Sequence, residues 1–344
     1  MRIALIGPSH WHYSMYQPGL ASDGFEIVGV ADSILPIAQS VAAHWACPYW
    51  TDYRRMLDQA NPDFVFAFGQ HSLMPAIAVE LIQRAIPFSI EKPCGTSVDD
   101  VRSVAEAAEK AKAFVSVPFH YRLSAMRAAL SSAVALPSSG FREVRFRIIA
   151  GSPLRFRDSS AWLVDPQAAG GGCMMNLAHH AIDFLVDITG EAIEEVQATV
   201  SNASLNLPIE DFATLSVRTN GGTVGVIETG YTHPADSSTY MEFDVELVHQ
   251  RFIVKKEGAS MLVTAGAERR QIPTNWQFKD YFSDYAVDAV RRCATGRSPI
   301  ATLHDLETTM TVVQAGYRSA REKRRIRLTE DRVQKHDTLK HIVP

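Results

Sequence analysis

The sequence predicts an α/β protein of two domains: a parallel sheet between helices, followed by an α+β domain with a large, mostly antiparallel open sheet. At 344 residues the chain is too long for one ordinary core. Its first part alternates short apolar runs with helical segments, whereas its second part carries many short strands and few helices. We place the domain boundary between residues 1–121 and 122–344.

The first domain is predicted from apolar runs of strand length that are flanked by helices, a pattern typical of a parallel sheet covered on both faces. The predicted strands are Ile3–Ile6, Ile27–Ala31, Phe64–Phe68, Phe88–Ile90 and Phe114–Val117, with helices such as Met74–Ala85 and Val98–Lys112 between them. This arrangement is of the Rossmann type. Such sheets bind ligands beyond the carboxyl ends of their strands.

The second domain is predicted from a run of alternating strands that begins near Phe141. The predicted strands are Glu143–Ile149, Glu195–Ser201, Ala213–Arg218, Thr223–Thr229, Met241–Leu247 and Arg251–Lys255. An open sheet of this kind leaves one face in need of a partner. We therefore expect a homodimer or homotetramer formed through this sheet.

Composition and charge limit the partners. The chain is 46% hydrophobic and 21% charged with a formal net charge of −4, which argues against nucleic acid or a membrane surface as the main partner. Met1 leads directly into a strand, so we expect no secretory leader. Cysteines at 47, 94, 173 and 293 show no CxxC spacing. They predict reduced thiols in a cytoplasmic protein and no metal site.

The turn after the first predicted strand is an altered phosphate-binding loop. It keeps Gly7 of the G-x-G-x-x-G pattern but has Ser9 and His12 in place of the second and third glycines. Ser9 and the histidines at 10 and 12 could supply compensating donors to a phosphate, or the cofactor site is weakened or reassigned. We count Gly7, Ser9, His10, Trp11 and His12 as candidate cofactor-binding residues.

Polar residues also follow the next strands. Asp32 ends the second strand, where a carboxylate can accept hydrogen bonds from ribose hydroxyls and would repel a 2′-phosphate, so it favours NAD over NADP. Gly69 and His71 follow the third strand and are candidate cofactor contacts, although His71 could equally line a pocket wall. An ordinary turn aspartate is the alternative for Asp32.

Two further motifs carry chemistry. Glu91-Lys92-Pro93 follows a strand, and a cis bond before the proline would aim Lys92 inward. Far downstream, three glycines at 170–172 precede a predicted helix on which Asn176, His180 and Asp183 share one face at i, i+4 and i+7. A stripe of amide, imidazole and carboxylate next to a glycine loop is unusual for a plain core helix.

With these motifs the chain resembles the Gfo/Idh/MocA family of nicotinamide-dependent oxidoreductases, over nearly its whole length. The resemblance implies that Lys92 touches the reacting hydroxyl, that His180 is the general base, and that Asp183 orients the base or binds substrate. It also implies cofactor contacts from Glu91 and Lys92. Family dehydrogenases typically have aspartate where this chain has Asn176, and asparagine keeps the hydrogen bonds without the charge.

A further group of residues could face a carbohydrate-like substrate. Trp162 precedes the central helix and could stack on a sugar face or be a buried structural tryptophan. The candidates on the substrate side are Lys92, His120, Arg122, Arg157, Trp162, Asn176, His179 and His180, although His179 points about 100° away from His180 on the helix.

Three functions remain open. The first is an NAD-dependent dehydrogenase acting on a hydroxyl of a sugar, polyol or sugar acid. The second is a redox-neutral enzyme that oxidises a hydroxyl transiently, to permit elimination or glycoside cleavage, and then returns the hydride. The third is a non-catalytic, ligand-sensing member of the same family. Asn176 and the missing glycines favour the third, whereas Lys92 and His180 oppose it.

Overall fold

The computed structural model describes residues 1–22, 24–234, 241–274 and 278–328. The chain forms two compact units, each assembled from separate stretches of sequence. The first contains residues 1–124 and 153–172 together with residues 278–307, which include the helix Phe278–Ala294. The second contains residues 125–152, the stretch that begins at Cys173 and the stretch that begins at Thr308.

The elements before that break alternate strictly at first between strand and helix. In chain order they are β1 (Arg2–Ile6), α1 (Tyr13–Leu20), β2 (Glu26–Ala31), α2 (Leu35–Trp45), β3 (Tyr49–Trp50), α3 (Tyr53–Ala60), β4 (Phe64–Ala67), α4 (Met74–Gln83), β5 (Phe88–Ile90), α5 (Val98–Ala111) and β6 (Val115–Ser116).

The later part of the chain is dominated by strands. Its elements are α6 (Ala125–Ala133), β7 (Phe141–Gly151), α7 (Arg157–Ser160), α8 (Pro166–Ala169), α9 (Cys173–Thr189), β8 (Ile193–Ser201), β9 (Phe212–Thr219), β10 (Val224–His233), β11 (Met241–His249), β12 (Phe252–Glu257), β13 (Ser260–Ala265), β14 (Glu268–Pro273), α10 (Phe278–Ala294), α11 (Leu303–Glu322) and β15 (Ile326–Arg327).

The first unit contains the predicted parallel sheet. In the described residues it has six strands in the order β3-β2-β1-β4-β5-β6, all paired in parallel. The side chains of Ile3 to Ile6 and of Phe64 to Ala67 are buried on both faces, as strands covered by helices on both sides require. The strand order reverses between β1 and β4, which is where sheets of this kind bind their ligands.

Helices α1 and α10 cover one side of this sheet and touch each other closely. A Cβ added at Gly19 of α1 would lie 2.2 Å from the carbonyl oxygen of Ser283 in α10. Glycine is therefore needed at position 19 by packing, because any side chain would push the two helices apart. Tyr16, one turn earlier on α1, is buried in the same core with Phe282 and Tyr285 of α10.

The second unit contains the predicted open, mostly antiparallel sheet. In the described residues it has nine strands in the order β14-β13-β12-β11-β7-β10-β9-β8-β15, of which β7 and β10 pair in parallel. Side chains alternate along β7, with Val144 and Phe146 buried and Arg145 exposed between them, the pattern of a sheet covered on one face. Helix α9 packs on the covered face against β7, β9 and β10. No helix in the described ranges is long and apolar enough to cross a membrane.

Candidate functional site

The ends of the parallel strands bring the predicted cofactor residues of the first unit to one edge of the sheet. Gly7 follows β1, Asp32 follows β2, Gly69 follows β4 and Glu91 follows β5. Gly7 has φ of +69°, and a Cβ there would lie 2.6 Å from the carbonyl oxygen of Phe68, so the turn requires glycine. Apart from its chain neighbours, no atom of the described residues lies within 4 Å of a Cβ placed on Gly69, which leaves open space at the point where the strand order reverses.

Asp32 is buried and fastens the altered loop to the end of β2. The backbone N–H of Ser9 donates to Asp32 Oδ2 (2.7 Å), and the backbone N–H of Ile34 donates to Oδ1 (2.8 Å). The carboxylate is 3% exposed, and each oxygen keeps lone-pair capacity for a further donor such as a ribose hydroxyl. Ser9 replaces a glycine of the pattern, and its backbone N–H is used as the hydrogen-bond donor to Asp32.

His10 has a tautomer that the loop itself selects. The backbone N–H of His12 donates to Nδ1 of His10 (3.1 Å), so Nδ1 carries no proton. Burial and the neighbouring His12 hold the pKa of His10 well below its ordinary value, and a neutral imidazole must then carry its proton on Nε2. That buried N–H has no hydrogen-bond partner among the described residues. It is a donor in the loop that binds pyrophosphate in other sheets of this type.

His71 has the opposite tautomer. Its Nδ1 lies 2.8 Å from the carbonyl oxygen of Ala169, which can only accept, so Nδ1 carries the proton. Burial lowers the pKa of His71 to about 3. The ring is therefore neutral, and its buried Nε2 is an acceptor that no donor among the described residues reaches. His10 and His71 thus offer one donor and one acceptor.

The segment 153–172 packs over these loops within the same unit. Ser160 Oγ donates to the carbonyl oxygen of Ser9 (3.1 Å). Trp11 stacks on Phe156 with 5.6 Å between ring centroids, and half-buried Trp162 meets the ring of His71 at 4.7 Å. Trp11 and Trp162 therefore lie beside the candidate cofactor residues, at 5.8 Å from each other.

These features fit a dinucleotide. The turn at Gly7 is intact, open space remains at Gly69, the Asp32 carboxylate is in place, and the unpaired Nε2 atoms of His10 and His71 are buried polar groups that a bound ligand would satisfy. The donors differ from those of a glycine-rich loop, because an imidazole replaces part of the bare backbone.

Lys92 is the buried cation of this edge. The Lys92–Pro93 bond is cis, as hypothesised from the sequence, and the Lys92 side chain is 1% exposed. Burial lowers the pKa of its ammonium to about 8, and the neighbouring Glu91 carboxylate opposes that shift. A lysine whose pKa lies near neutral pH suits a site that stabilises negative charge or transfers a proton.

The remaining candidates of the first unit have diverse surroundings. His120 is fully buried against Phe282, with 4.3 Å between ring centroids, and burial lowers its pKa to about 3. Arg122 pairs with Asp305 (2.8 Å) and donates to the carbonyl oxygen of Ile300 (3.0 Å), which are structural contacts. The side chain of Arg157 is 79% exposed.

In the second unit, α9 carries Asn176, His180 and Asp183, and all three side chains are buried. The Asn176 amide donates to the hydroxyl of Tyr231 on β10 (3.0 Å). The His179 side chain points away from this stripe, as its position on the helix led us to expect. Its Nδ1 lies 2.7 Å from Thr309 Oγ1. The stripe predicted from the sequence is therefore held on one side by Tyr231.

Glu210 and Tyr317 satisfy the first backbone N–H groups of α9. The Met174 N–H donates to Glu210 Oε1 (2.9 Å), and the Met175 N–H donates to the Tyr317 hydroxyl (3.2 Å). That hydroxyl in turn donates to Glu210 Oε1 (2.7 Å). A carboxylate at a helix N-terminus also interacts favourably with the helix dipole. These contacts fix the turn that precedes Asn176.

Four tyrosine and glutamate side chains around these sites were not identified from the sequence: Tyr16, Glu210, Tyr231 and Tyr317. Tyr16 is four residues after His12, so helical spacing could have placed the two on one face. The other three approach α9 from distant segments, and nothing in a single sequence indicates those contacts.

A parallel sheet in this order, with a glycine turn and a terminal aspartate, defines a dinucleotide-binding fold. Residues 1–119 match the model of an oxidoreductase family described as having an NAD-binding Rossmann fold, and residues 142–254 match the GFO/IDH/MocA C-terminal domain. The two matches together span more than half of the chain. The protein therefore belongs to the Gfo/Idh/MocA family of NAD-binding oxidoreductases, as the sequence motifs indicated.

Individual relatives are distant. The rhizopine catabolism protein MocA of Rhizobium meliloti is 21% identical over 251 residues, covering 70% of this chain and 74% of that protein.

Solved structures match the fold closely at low identity. A crystal structure of an oxidoreductase from Agrobacterium radiobacter, in complex with NAD+, L-tartaric acid and magnesium, superposes with a TM-score of 0.84 at 16% identity, over 96% of this chain and 99% of that chain. Levoglucosan dehydrogenase in complex with NADH and levoglucosan gives 0.81 at 15%, over 95% and 99%. The aldose-aldose oxidoreductase of Caulobacter crescentus, complexed with glycerol, gives 0.78 at 17%, over 95% and 99%.

Burial of Lys92 predicts a specific pH dependence of stability. The ammonium has a pKa of about 8 in the folded protein against 10.5 ordinarily, so between these pH values the unfolded chain binds more protons and the free energy of unfolding rises with pH. The full difference is roughly 3 kcal/mol. In Lys92→Met this contribution is absent.

Urea denaturation from pH 7 to pH 10 measures the contribution of Lys92 as the difference in the free energy of unfolding between wild type and Lys92→Met. The exposed Lys110→Met is the control and keeps the wild-type pH dependence. Parallel curves for wild type and Lys92→Met would show that the Lys92 ammonium is not perturbed by the fold.

Proposed function

We propose that the protein oxidises a hydroxyl group of a sugar, polyol or sugar acid with NAD, or catalyses the reverse reduction. The observation that carries the proposal is Lys92, a buried ammonium with a pKa of about 8 at the carboxyl ends of the parallel strands. Relatives of the same fold have been crystallised with L-tartaric acid, levoglucosan and glycerol. Their common feature, a carbon that bears a hydroxyl, supports the substrate class.

In this proposal the first unit holds the cofactor through the groups described above. Gly7 and Ser9 supply the turn and its backbone, and the Nε2–H of His10 donates to the pyrophosphate. Asp32 accepts from the adenosine ribose, and its buried charge disfavours the 2′-phosphate of NADP. Nε2 of His71 accepts from a hydroxyl or amide N–H of the cofactor. When bound, NAD supplies the hydride acceptor.

In this proposal Lys92 and His180 have different roles toward the reacting hydroxyl of the substrate. The Lys92 ammonium donates from Nζ to the substrate oxygen and stabilises the negative charge that develops there. The His180 imidazole takes the hydroxyl proton, which suits a group whose ordinary pKa is near 6.5. Asp183, three residues later on α9, orients the imidazole. Asn176 binds a substrate hydroxyl, with its amide held by Tyr231.

The test is NADH formation with a panel of sugars, polyols and sugar acids. Lys92→Met and His180→Gln should each lower kcat/KM at least ~10³-fold while each variant stays folded, because each removes a group that acts on the reacting hydroxyl. Lys110→Met and His304→Gln, at exposed positions, serve as controls. Full activity in either site variant would remove that residue from the mechanism, and turnover of substrate without net NADH would establish the redox-neutral alternative.

Asn176→Asp tests the departure from the family pattern. The Tyr231 hydroxyl can donate to a carboxylate as well as accept from an amide, so the aspartate can keep a hydrogen bond to Tyr231. We expect a several-fold rise in kcat, because a carboxylate favours the cationic forms of the groups that handle the proton. The steady-state rate with the best substrate measures it. A fall in kcat would instead mark the asparagine as an adaptation to this protein's own substrate.

The proposal includes a homodimer or homotetramer formed through the uncovered face of the second sheet. That face is polar and internally paired, since Arg147 contacts Glu228 (3.2 Å) and Lys255 contacts Glu246 (2.9 Å). Light scattering on the purified protein measures the oligomeric state, and a monomer at micromolar concentration would refute this part of the proposal.

A cytoplasmic location is also part of the proposal, and the four free cysteines, all in described residues, suit a reducing compartment.

A further inference from the structure

Glu91 is a carboxylate held in a fixed position inside the first unit. It is 1% exposed, and the Tyr16 hydroxyl donates to its Oε1 at 2.6 Å. Nδ1 of His12 lies 3.2 Å from the same oxygen but makes no hydrogen bond among the described residues. The other oxygen, Oε2, is buried with no hydrogen-bond partner among the described residues. Burying an ionised carboxylate is costly unless a nearby positive charge compensates it.

The hydroxyl that holds Glu91 comes from α1, and the ring that lies beside the same carboxylate comes from the residue before it. His12 immediately precedes the helix and Tyr16 is four residues later, so both side chains lie on one face. The Tyr16 ring is fixed edge-on against Phe68 (5.0 Å between centroids) and Tyr285 (6.0 Å). The hydroxyl therefore has little freedom to leave the carboxylate.

We propose that Tyr16 holds Glu91 as a fixed buried anion that keeps the adjacent Lys92 protonated and correctly oriented for reaction. Tyr16 is then a positioning residue that acts through Glu91. This inference rests on the proposed function in giving Lys92 a role on the substrate. It adds a physical link between helix α1, which follows the cofactor loop, and the ammonium that acts on the hydroxyl.

The charges around Lys92 support this assignment. Among the titratable groups of this unit, the Glu91 carboxylate acts on Lys92, and Lys92 in turn acts on the imidazoles of His10, His12, His71 and His120. Burial lowers the pKa of all four histidines, so these rings are neutral near pH 7. The Glu91 carboxylate supplies the negative charge that counteracts the burial of Lys92.

The experiment combines Tyr16→Phe, Glu91→Gln and the double variant, with Tyr13→Phe as the matched control. Tyr13 lies on the same helix, but its hydroxyl accepts from Trp45 Nε1 (2.8 Å) and does not contact Glu91. Both test substitutions preserve the shape of the side chain. Steady-state kinetics are measured from pH 6 to pH 10, together with urea unfolding of each variant with and without Lys92→Met.

We expect Tyr16→Phe to lower kcat about 10- to 100-fold while the KM for NAD changes less than threefold. In the Glu91→Gln background the same substitution should have an effect below twofold, because its route of action is gone. Glu91→Gln should move the alkaline limb of kcat/KM at least one pH unit lower. Tyr13→Phe should match wild type in all of these.

Equal effects of Tyr16→Phe in the presence and absence of Glu91 would overturn the inference, as would an alkaline limb that Glu91→Gln leaves in place. The unfolding series separates this failure from failure of the proposed function, since it needs no turnover. In these unfolding measurements, the Lys92-dependent rise in the free energy of unfolding begins at a certain pH. Glu91→Gln should lower that pH by at least one unit. An unmoved onset would refute the role of Glu91 even in an inactive protein.

Discussion

Burial of the Lys92 ammonium is the constraint on which the first unit depends. A charge removed from water needs a compensating charge and fixed neighbours, and here the compensating charge is the adjacent Glu91 carboxylate. The hydroxyl of Tyr16 holds that carboxylate, and four buried imidazoles around Lys92 stay neutral. The packing of α1 against the sheet therefore serves the chemistry as well as the core.

Much of this architecture followed from local patterns. Apolar runs between helices predicted the parallel sheet, and the carboxyl ends of its strands placed Gly7, Asp32 and Glu91 together. Helical spacing put Asn176 and His180 on one face of α9, where both are buried. These features were predictable because each depends on periodicity or on a motif within one short stretch of chain.

The remaining features depend on contacts between distant segments. Arg122 pairs with Asp305, 183 residues away. Tyr231, which holds the Asn176 amide, comes from a strand 55 residues later. The tautomer of His10 follows from one backbone N–H, and a single sequence does not reveal which ring nitrogen that group will meet. Side-chain partners of this kind emerge only from the folded chain.

We expect that a loop with serine and histidine in place of two glycines still binds NAD. Calorimetric titration of the purified protein with NAD and with NADP, after removal of any retained nucleotide, tests it most directly. We predict a dissociation constant for NAD in the micromolar range or below, and binding of NADP at least tenfold weaker because of Asp32. Absence of binding to either nucleotide would contradict the account.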